Sequence, residues 1–294
     1  MSRFLQTLAD AVSSGAVYGL AALGLGLVFG VMRLANFAHS ELITAPAYAL
    51  VLLWSRSPLL ALVTAVAVGV LLAVAMDLVV FRRLRSSGPA TLLIASFALS
   101  FVLQRVFAIL FGNNVRTAPV ASSLSRSVEI AGLRLQLLSL VTVLLAVVLM
   151  LGLQLFLTRT SIGLQVQAAS TDFLTARLLG VRAGLVISAT FAISGLLAAA
   201  VAFALVTQTG AVSPTFGLNI TVLALIGAVI GGIDKLEGAL LGGFLVGFAG
   251  SELQAWLPSD AVNFKDAYVF VLVIIVLLIR PSGLLASRTA TERT

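Results

Sequence analysis

Four polar residues stand close together in an otherwise apolar stretch of the chain: Asn36, His39, Ser40 and Glu41. Asn36 and His39 are three positions apart and would share one face of a helix, and a local break could bring Glu41 into the same pocket. Their amide, imidazole and carboxyl groups could bind a small polar solute through hydrogen bonds. The alternative is a buried hydrogen bond between His39 and Glu41 that only holds a broken helix in place.

The chain contains few residues that could carry out covalent catalysis or bind a metal ion. The 294 residues include no cysteine and a single histidine, which excludes thiol nucleophiles and thiolate metal sites and argues against a histidine metal site. No nucleophile with a base and an orienting group is evident from the pattern. We therefore expect no catalytic residues, no metal ligands and no cofactor bound by this chain.

The composition places these residues in a membrane protein. Hydrophobic residues make up 60% of the chain and charged residues 10%, against about 45–50% and 25% in soluble domains. A spanning helix needs about 20 apolar residues, and nine segments are candidates: 6–32, 41–54, 58–80, 91–112, 135–158, 184–208, 216–233, 237–257 and 266–280. Segments 41–54 and 216–233 are the weakest, and Pro46 and Pro214 lie in or beside them, so either could be a half-helix or re-entrant. We predict an all-α, polytopic transmembrane bundle of eight or nine membrane segments, some short or re-entrant, in one domain over residues 1–294.

The net charge of +7 carries information about orientation, because cytoplasmic loops are enriched in Lys and Arg. Three groups fall on one side of the predicted bundle: Arg82, Arg83 and Arg85; Arg159, Arg177 and Arg182; Arg280, Arg288 and Arg293. Three others fall on the opposite side: Arg116, Arg126 and Arg134. The majority predicts a cytoplasmic C-terminus and an outer N-terminus. Since the arginines are dispersed and form no single patch, no nucleic-acid partner is expected.

Two polar regions interrupt the apolar segments. The outer loop 113–134 contains alternating residues on either side of Ala131-Gly132, which predicts a small hairpin, with an irregular loop as the alternative. The region 158–183 is helix-compatible over 168–179, with Asp172 near the start of a short helix and Gly180 at its end. On the cytoplasmic side, such a helix could dock into a groove on a partner or lie on the lipid headgroups.

Glycines recur four positions apart in several of the apolar segments, as at Gly15 and Gly19, Gly227 and Gly231, and Gly243 and Gly247. This spacing lets helix backbones approach closely in lipid. It predicts a compact bundle and indicates no particular function.

Three stretches resemble the permease subunits of branched-chain amino acid ABC importers. The segment from Gly19 to His39 looks like the family's first helix running into its Asn-Phe-Ala-His-Gly-Glu motif, with Ser40 in place of the motif's usual glycine. Residues 176–181 are similar to the helix by which such permeases engage their ATPase. Residues 228–233, 238–243 and 280–284 look like the family's C-terminal half.

The resemblance implies a transmembrane permease that moves branched-chain amino acids or a related small polar solute by alternating access. The implied partners are a second permease subunit, homologous or identical, two cytoplasmic ATPase subunits that bind ATP, an external solute-binding protein and membrane lipid. Carried over to this sequence, the substrate pathway would include Asn36, His39 and Glu41. The surface that couples to the ATPase would include Ala176, Arg177, Leu179 and Gly180.

Other classes of membrane protein remain alternatives. A gradient-driven transporter, or a channel for a small solute such as urea or a short amide, would also be a helical bundle. Such carriers usually hold acidic groups at the middle of the membrane, and Glu41 alone fits that description. The chain has no Gly-x-x-x-x-Gly-Lys-[Ser/Thr] phosphate-binding loop of its own, so ATP hydrolysis would take place on separate subunits.

Overall fold

The computed structural model describes residues 2–85, 87–130, 133–233, 235–280 and 283–285. Arg288 and Arg293 of the third arginine group, and the turn Ala131-Gly132, lie outside these residues. The helices are α1 Ser2–Met32, α2 His39–Leu53, α3 Pro58–Met76, a π-helical turn Asp77–Phe81, α4 Arg82–Leu84, α5 Pro89–Phe111, α6 Leu137–Arg159, α7 Ser161–Thr171, α8 Phe173–Leu178, α9 Ala183–Thr209, α10 Leu218–Gly231, α11 Leu236–Trp256, α12 Ser259–Val262 and α13 Lys265–Ile279. The strands are β1 Arg116–Thr117, β2 Ser127–Ile130, β3 Leu133–Gln136 and β4 Ala211–Val212, and a 3-10 turn covers Ser122–Ser125.

The helices form the membrane bundle that the composition predicts. Six helices in the described ranges are long and apolar enough to cross a membrane: Phe4–Met32, Pro58–Leu84, Pro89–Phe111, Leu137–Arg159, Ala183–Thr209 and Leu236–Trp256. Helices α2 and α10 are apolar but have 15 and 14 residues, too few to cross a hydrocarbon core of about 30 Å without local thinning of the bilayer. These are the two segments that the sequence marked as weakest.

Among the six long helices, α1 and α9 form the centre of the bundle, and the short helix α2 is also mostly buried. In the most apolar part of α1, 78% of the residues are buried, and in α9 61%, against 17% in α6. Helix α9 packs against α1, α2 and α3. Helices α3, α5 and α6 instead expose many leucines, valines and isoleucines, as expected of helices whose outer faces contact lipid.

Glycines bring the backbones of α1, α10 and α11 together. A Cβ atom on Gly243 of α11 would lie 2.5 Å from Ala22 Cβ of α1, and a Cβ atom on Gly227 of α10 would lie 2.6 Å from Gly243 Cα. A Cβ atom on Gly231 would collide with the carbonyl oxygen of Gly238. The close packing predicted from the glycine spacing is confirmed, and the glycines of α11 pack against both α1 and α10.

Small strand pairs lie between the long helices. Strands β2 and β3 pair in antiparallel register, with Val128 opposite Leu135 and Glu129 opposite Arg134. The predicted hairpin is confirmed and extends two residues past the predicted loop end, to Gln136. Strand β1 pairs with β4, which follows α9, so the connection after α5 is tied to the end of the central helix.

Candidate functional site

The chain leaves helical geometry between α1 and α2. Helix α1 ends at Met32, Arg33 has φ +52°, and residues 34–36 are irregular before a turn that leads into α2 at His39. The Asn36 side chain is 2% exposed, and its Oδ1 accepts a hydrogen bond from the Ala38 N–H at 3.1 Å. Asn36 therefore supports the turn that starts α2 and does not share a helical face with His39, which corrects the sequence prediction.

His39 faces α1 and α9. Its ring is fully buried, and Nδ1 lies 3.3 Å from Ser194 Oγ of α9. Because the Ser194 hydroxyl donates its hydrogen to the Gly24 carbonyl at 3.0 Å, it can only accept from His39, so Nδ1 carries the proton in this arrangement. A Cβ atom on Gly24 would lie 3.1 Å from His39 Cε1, which shows how closely the ring approaches α1.

Glu41 faces α5. Its side chain is fully buried, and Oε1 accepts hydrogen bonds from Ser40 Oγ at 2.9 Å, Ser100 Oγ at 3.0 Å and Gln104 Nε2 at 3.0 Å. Ser100 and Gln104 belong to α5, and Ser40 precedes Glu41 in α2. The carboxyl group thus joins α5 to the first turn of α2.

His39 and Glu41 do not share a pocket. Two residues apart on a helix, they project in nearly opposite directions, and each has its own partners. This excludes the predicted hydrogen bond between them in this conformation. Three buried polar atoms near the break have no hydrogen-bond partner among the described residues: Asn36 Nδ2, His39 Nε2 and Glu41 Oε2.

The sequence analysis missed the residues that complete this network. Ser96, Ser100 and Gln104 are four apart and form one stripe on α5, and Ser96 Oγ accepts a hydrogen bond from the Phe37 N–H at 3.3 Å. Polar residues repeated every four positions in an apolar helix were a readable signal. Thr190 and Ser194 of α9 are also four positions apart and buried, so the same spacing marked Ser194 but did not show that it contacts His39.

A second polar contact links α2 to α10. The N–H of Gly217, just before α10, donates to Thr44 Oγ1 at 3.0 Å, and a Cβ atom on Gly217 would collide with the Ser40 carbonyl oxygen. The backbones of α2 and the segment before α10 thus approach closely at Ser40, with Gly217 supplying the glycine and Ser40 the carbonyl.

The segment 158–183 contains two helices with a break at Asp172. Asp172 begins α8, and its Oδ1 accepts hydrogen bonds from the N–H groups of Leu174 at 3.0 Å and Thr175 at 3.1 Å. The bond from the Thr175 hydroxyl to Oδ2, then the bonds from these N–H groups, hold the pKa of the Asp172 carboxyl below its ordinary value. The predicted start of the short helix is confirmed.

Gly180 ends α8 in the predicted way. Its φ is +90°, and the N–H of Val181 donates to the Ala176 carbonyl while that of Gly180 donates to the Arg177 carbonyl, both at 3.1 Å. This pair of bonds is the Schellman arrangement that favours glycine at the left-handed position.

The four predicted coupling residues have different surroundings. Ala176 is 5% exposed and packs inward, whereas Arg177, Leu179 and Gly180 are exposed. Leu178 and Leu179 are each 82% exposed. Beside them lies a cavity of about 490 Å³, lined by residues that include Ser161, Gln165, Leu179, Gly180, Arg182 and Leu185.

A third buried polar cluster ties α3 to α9 near this segment. Asp77 starts the π-helical turn and is fully buried, and its carboxylate forms an ion pair with Arg85. Ser188 Oγ, in the second turn of α9, donates to the other carboxylate oxygen at 2.6 Å. Asp77 therefore pairs with one of the arginines that follow α3. Among the described residues, no three His, Cys, Asp or Glu side chains are grouped as metal ligands.

Comparison with known proteins gives a consistent set of relatives. Residues 7–279 match the family described as branched-chain amino acid transport system, permease component. The chain is similar to the high-affinity branched-chain amino acid transport system permease protein BraD of Pseudomonas aeruginosa, with 29% identity over 96% of this chain and 95% of that protein. It is equally similar to the LivH permease protein of the same kind of system from Escherichia coli K12, with 29% identity over 96% and 95%.

A shorter similarity reaches a permease for another solute. The xylose transport system permease protein XylH of Escherichia coli K12 is 35% identical over 111 residues, which cover 35% of this chain and 28% of that protein. No solved structure matches the chain.

Proposed function

The chain belongs to the family of branched-chain amino acid transport permeases, and we propose that it is the membrane-spanning subunit of an ATP-driven importer that works by alternating access. Its solute would be a branched-chain amino acid or a related small polar molecule. The relatives named for branched-chain amino acid transport cover nearly the whole chain, which supports that solute class over the xylose named for the shorter match.

The observation that carries the ATP-driven mechanism is helix α8. It is short, it is capped by Asp172 and Gly180, and it exposes Leu174, Leu178 and Leu179 to the extent of 72, 82 and 82%. Leucines this exposed on a rigid helix outside the long apolar segments are typical of a surface that is covered by a partner. The proposed partner is a cytoplasmic ATPase subunit, which would contact Arg177, Leu179 and Gly180 while Ala176 anchors α8 to the permease.

The assembly would contain a second permease subunit, two ATPase subunits that bind ATP, and an external solute-binding protein. The chain itself would bind no cofactor and would form one permease domain over residues 1–294. The six long helices together with α2, α10 and α13 would give nine membrane segments, of which α2 and α10 begin inside the membrane.

The orientation follows from the arginines at the helix ends. Arg82, Arg83 and Arg85 follow α3, Arg159 ends α6, Arg177 and Arg182 flank the end of α8, and Arg280 follows α13. A cytoplasmic location of these residues puts the C-terminus inside and the N-terminus outside the bacterial cytoplasmic membrane.

Asn36, His39 and Glu41 would act in the pathway by holding the break between α1 and α2. Each of these side chains is buried and keeps one polar atom without a hydrogen-bond partner among the described residues. A buried polar atom without a partner is unfavourable. In a second conformation these atoms could form hydrogen bonds with the solute or with another helix, as alternating access would require.

The experiment that tests this proposal measures ATPase activity of the complex purified through this chain, with and without leucine-loaded binding protein. We expect loaded protein to stimulate hydrolysis, and we expect the double variant Arg177→Ala/Gly180→Ala to lose most of that stimulation while the permease remains folded. An alanine at φ +90° costs about 1–2 kcal/mol. This cost is enough to disturb the end of α8 but not the rest of the permease.

Arg83→Ala is the matched control, because Arg83 is also an exposed arginine beside a helix end but lies outside the segment 158–183. Unchanged stimulation in the double variant would refute the role of α8. If no ATPase subunit co-purifies under mild conditions, the gradient-driven carrier or channel becomes the better account.

A further inference from the structure

Helices α2 and α10 both begin near the middle of the membrane. Ser194 is the twelfth residue of α9, so it lies roughly 17 Å along a helix of about 40 Å at 1.5 Å per residue. His39, the first residue of α2, contacts Ser194 and therefore lies at the same depth. Thr44 lies about 7.5 Å beyond His39 along α2. Its Oγ1 accepts a hydrogen bond from the N–H of Gly217, just before α10, so α10 begins close to this depth.

The segment that enters α10 exposes polar side chains at this depth. Thr215 and Asn219 are four positions apart, and both are exposed on the surface of the chain. The adjacent residues Gly217, Ile220 and Thr221 are buried. The exposed polar residues therefore lie on one side of the segment, with the buried residues packed against the bundle on the other.

Exposed polar groups in the middle of a bilayer do not normally contact lipid. Their transfer into hydrocarbon is unfavourable, so such residues face a bundle interior or a water-filled cavity. On α6, which has the expected lipid-facing character, the exposed residues of the middle turns are Leu144, Val147 and Val148. The contrast between α6 and the start of α10 indicates that the two surfaces contact different media.

We propose that Thr215 and Asn219 line the aqueous solute pathway and form hydrogen bonds with the polar end of the transported solute. Hydroxyl and amide groups donate and accept hydrogen bonds without adding charge, which suits a small zwitterion such as an amino acid. The proposal rests on the proposed importer function and adds solute-contacting residues that differ from the buried Asn36, His39 and Glu41.

Cysteine accessibility in the assembled transporter tests this assignment directly. The chain contains no cysteine, so each substituted cysteine is the only thiol of this subunit. A charged, water-soluble methanethiosulfonate reagent reacts with thiolates, which form in water and not in lipid. We expect Thr215→Cys and Asn219→Cys to react at least about tenfold faster than the controls, and to be protected when leucine is supplied on its binding protein.

Two controls have matched depth. Val148→Cys is the lipid-facing control, since Val148 is 55% exposed at the middle of α6. Ile220→Cys is the buried control next to Asn219. We also expect Asn219→Ala to raise the KM for transport severalfold with unchanged amounts of assembled complex, a result that a purely structural role would not give.

The outcomes separate this inference from the proposed function. If the transporter hydrolyses ATP and imports leucine while both cysteines react as slowly as Val148→Cys, the pathway assignment is wrong and the importer function stands. Disulfide-linked dimers of either variant without labelling would place the residues in a subunit contact and would also overturn it. Fast, solute-protected labelling in a complex without ATPase activity would support the pathway and overturn the ATP-driven mechanism.

Discussion

The contact between α1 and α11 and the contact between α2 and α5 hold the bundle together in different ways. At α1 and α11, glycines bring the backbones so close that an added Cβ atom on Gly15 would lie 2.8 Å from Phe244 Cδ2. At α2 and α5, the buried Glu41 carboxyl accepts hydrogen bonds from Ser100 and Gln104. Two of the four buried residues of α5 are serines.

The difference bears on which contacts could rearrange in the proposed transport cycle. Backbone packing through glycines depends on van der Waals contact between closely fitting surfaces, and this contact is lost entirely when the helices separate. Hydrogen bonds of a carboxyl group can be exchanged for other partners, including water, at small net cost. We infer that α1, α10 and α11 form a fixed frame and that the contact between α2 and α5 is the one that rearranges.

The largest expected effect comes from a single methyl group in the frame. Gly231→Ala places Cβ against the Gly238 carbonyl oxygen, and neither backbone can move without separating α10 from α11. We expect destabilisation of more than about 3 kcal/mol, at or above the upper end of overpacking costs. Little folded protein should then be recovered in detergent, as measured by size-exclusion chromatography and thermal unfolding.

Gly152→Ala is the matched control for this substitution. Gly152 is also a helical glycine, in α6, but a Cβ atom there has nothing within 4 Å. Alanine should be neutral or slightly stabilising there, because it favours helix. Normal recovery of Gly231→Ala would contradict the view that α10 and α11 form a rigid unit.

An intermediate effect is expected from the polar contact. Glu41→Ala removes the carboxyl oxygen that accepts hydrogen bonds from Ser100 and Gln104. The free energy of unfolding should fall by about 1–3 kcal/mol, because these buried donors lose their acceptor. Folded protein should still be recovered, and transport should fall more than thermal stability does. Glu41→Gln keeps an acceptor oxygen of the same shape, so its loss of stability should be smaller.

These variants are best compared in the same assays as Gly231→Ala. If Glu41→Ala abolished folding as completely as the glycine substitution, the contact between α2 and α5 would belong to the frame. If both Glu41 variants transported at the rate of the unsubstituted protein, the rearrangement proposed for this contact would be wrong.

The two contacts also differ in how far the sequence predicts them. Hydropathy located the six long helices and marked α2 and α10 as the weakest segments, because length and composition are local properties. Glycine spacing predicted close packing, but not that Gly243 contacts Ala22. The polar stripe on α5 is a local pattern, but its pairing with Glu41, 59 and 63 residues away from Ser100 and Gln104, is a long-range contact that the spacing does not predict. For that reason the sequence suggested His39, its neighbour, as the partner.

The smallest expected effect comes from the start of α8, whose exposed residues let water compete for each hydrogen bond. Asp172→Ala removes the acceptor at the start of α8, and amide hydrogens of Ala176 and Arg177 should exchange severalfold faster while the membrane helices are unaffected. Thr171→Ala is the control, because this exposed neighbour does not cap α8.

The pH dependence of this cap has a definite sign. Since hydrogen bonds hold the pKa of Asp172 below its ordinary value, the cap stabilises α8 above the pKa of an unfolded aspartate, about 3.9, and this stabilisation is lost as the pH falls through the lower folded value. Exchange in the unsubstituted chain should therefore approach that of Asp172→Ala only below about pH 4. A difference that persists unchanged at still lower pH would show that the carboxylate is not what stabilises α8. The start of α8 would then be stabilised by packing, as the contacts between α1 and α11 are.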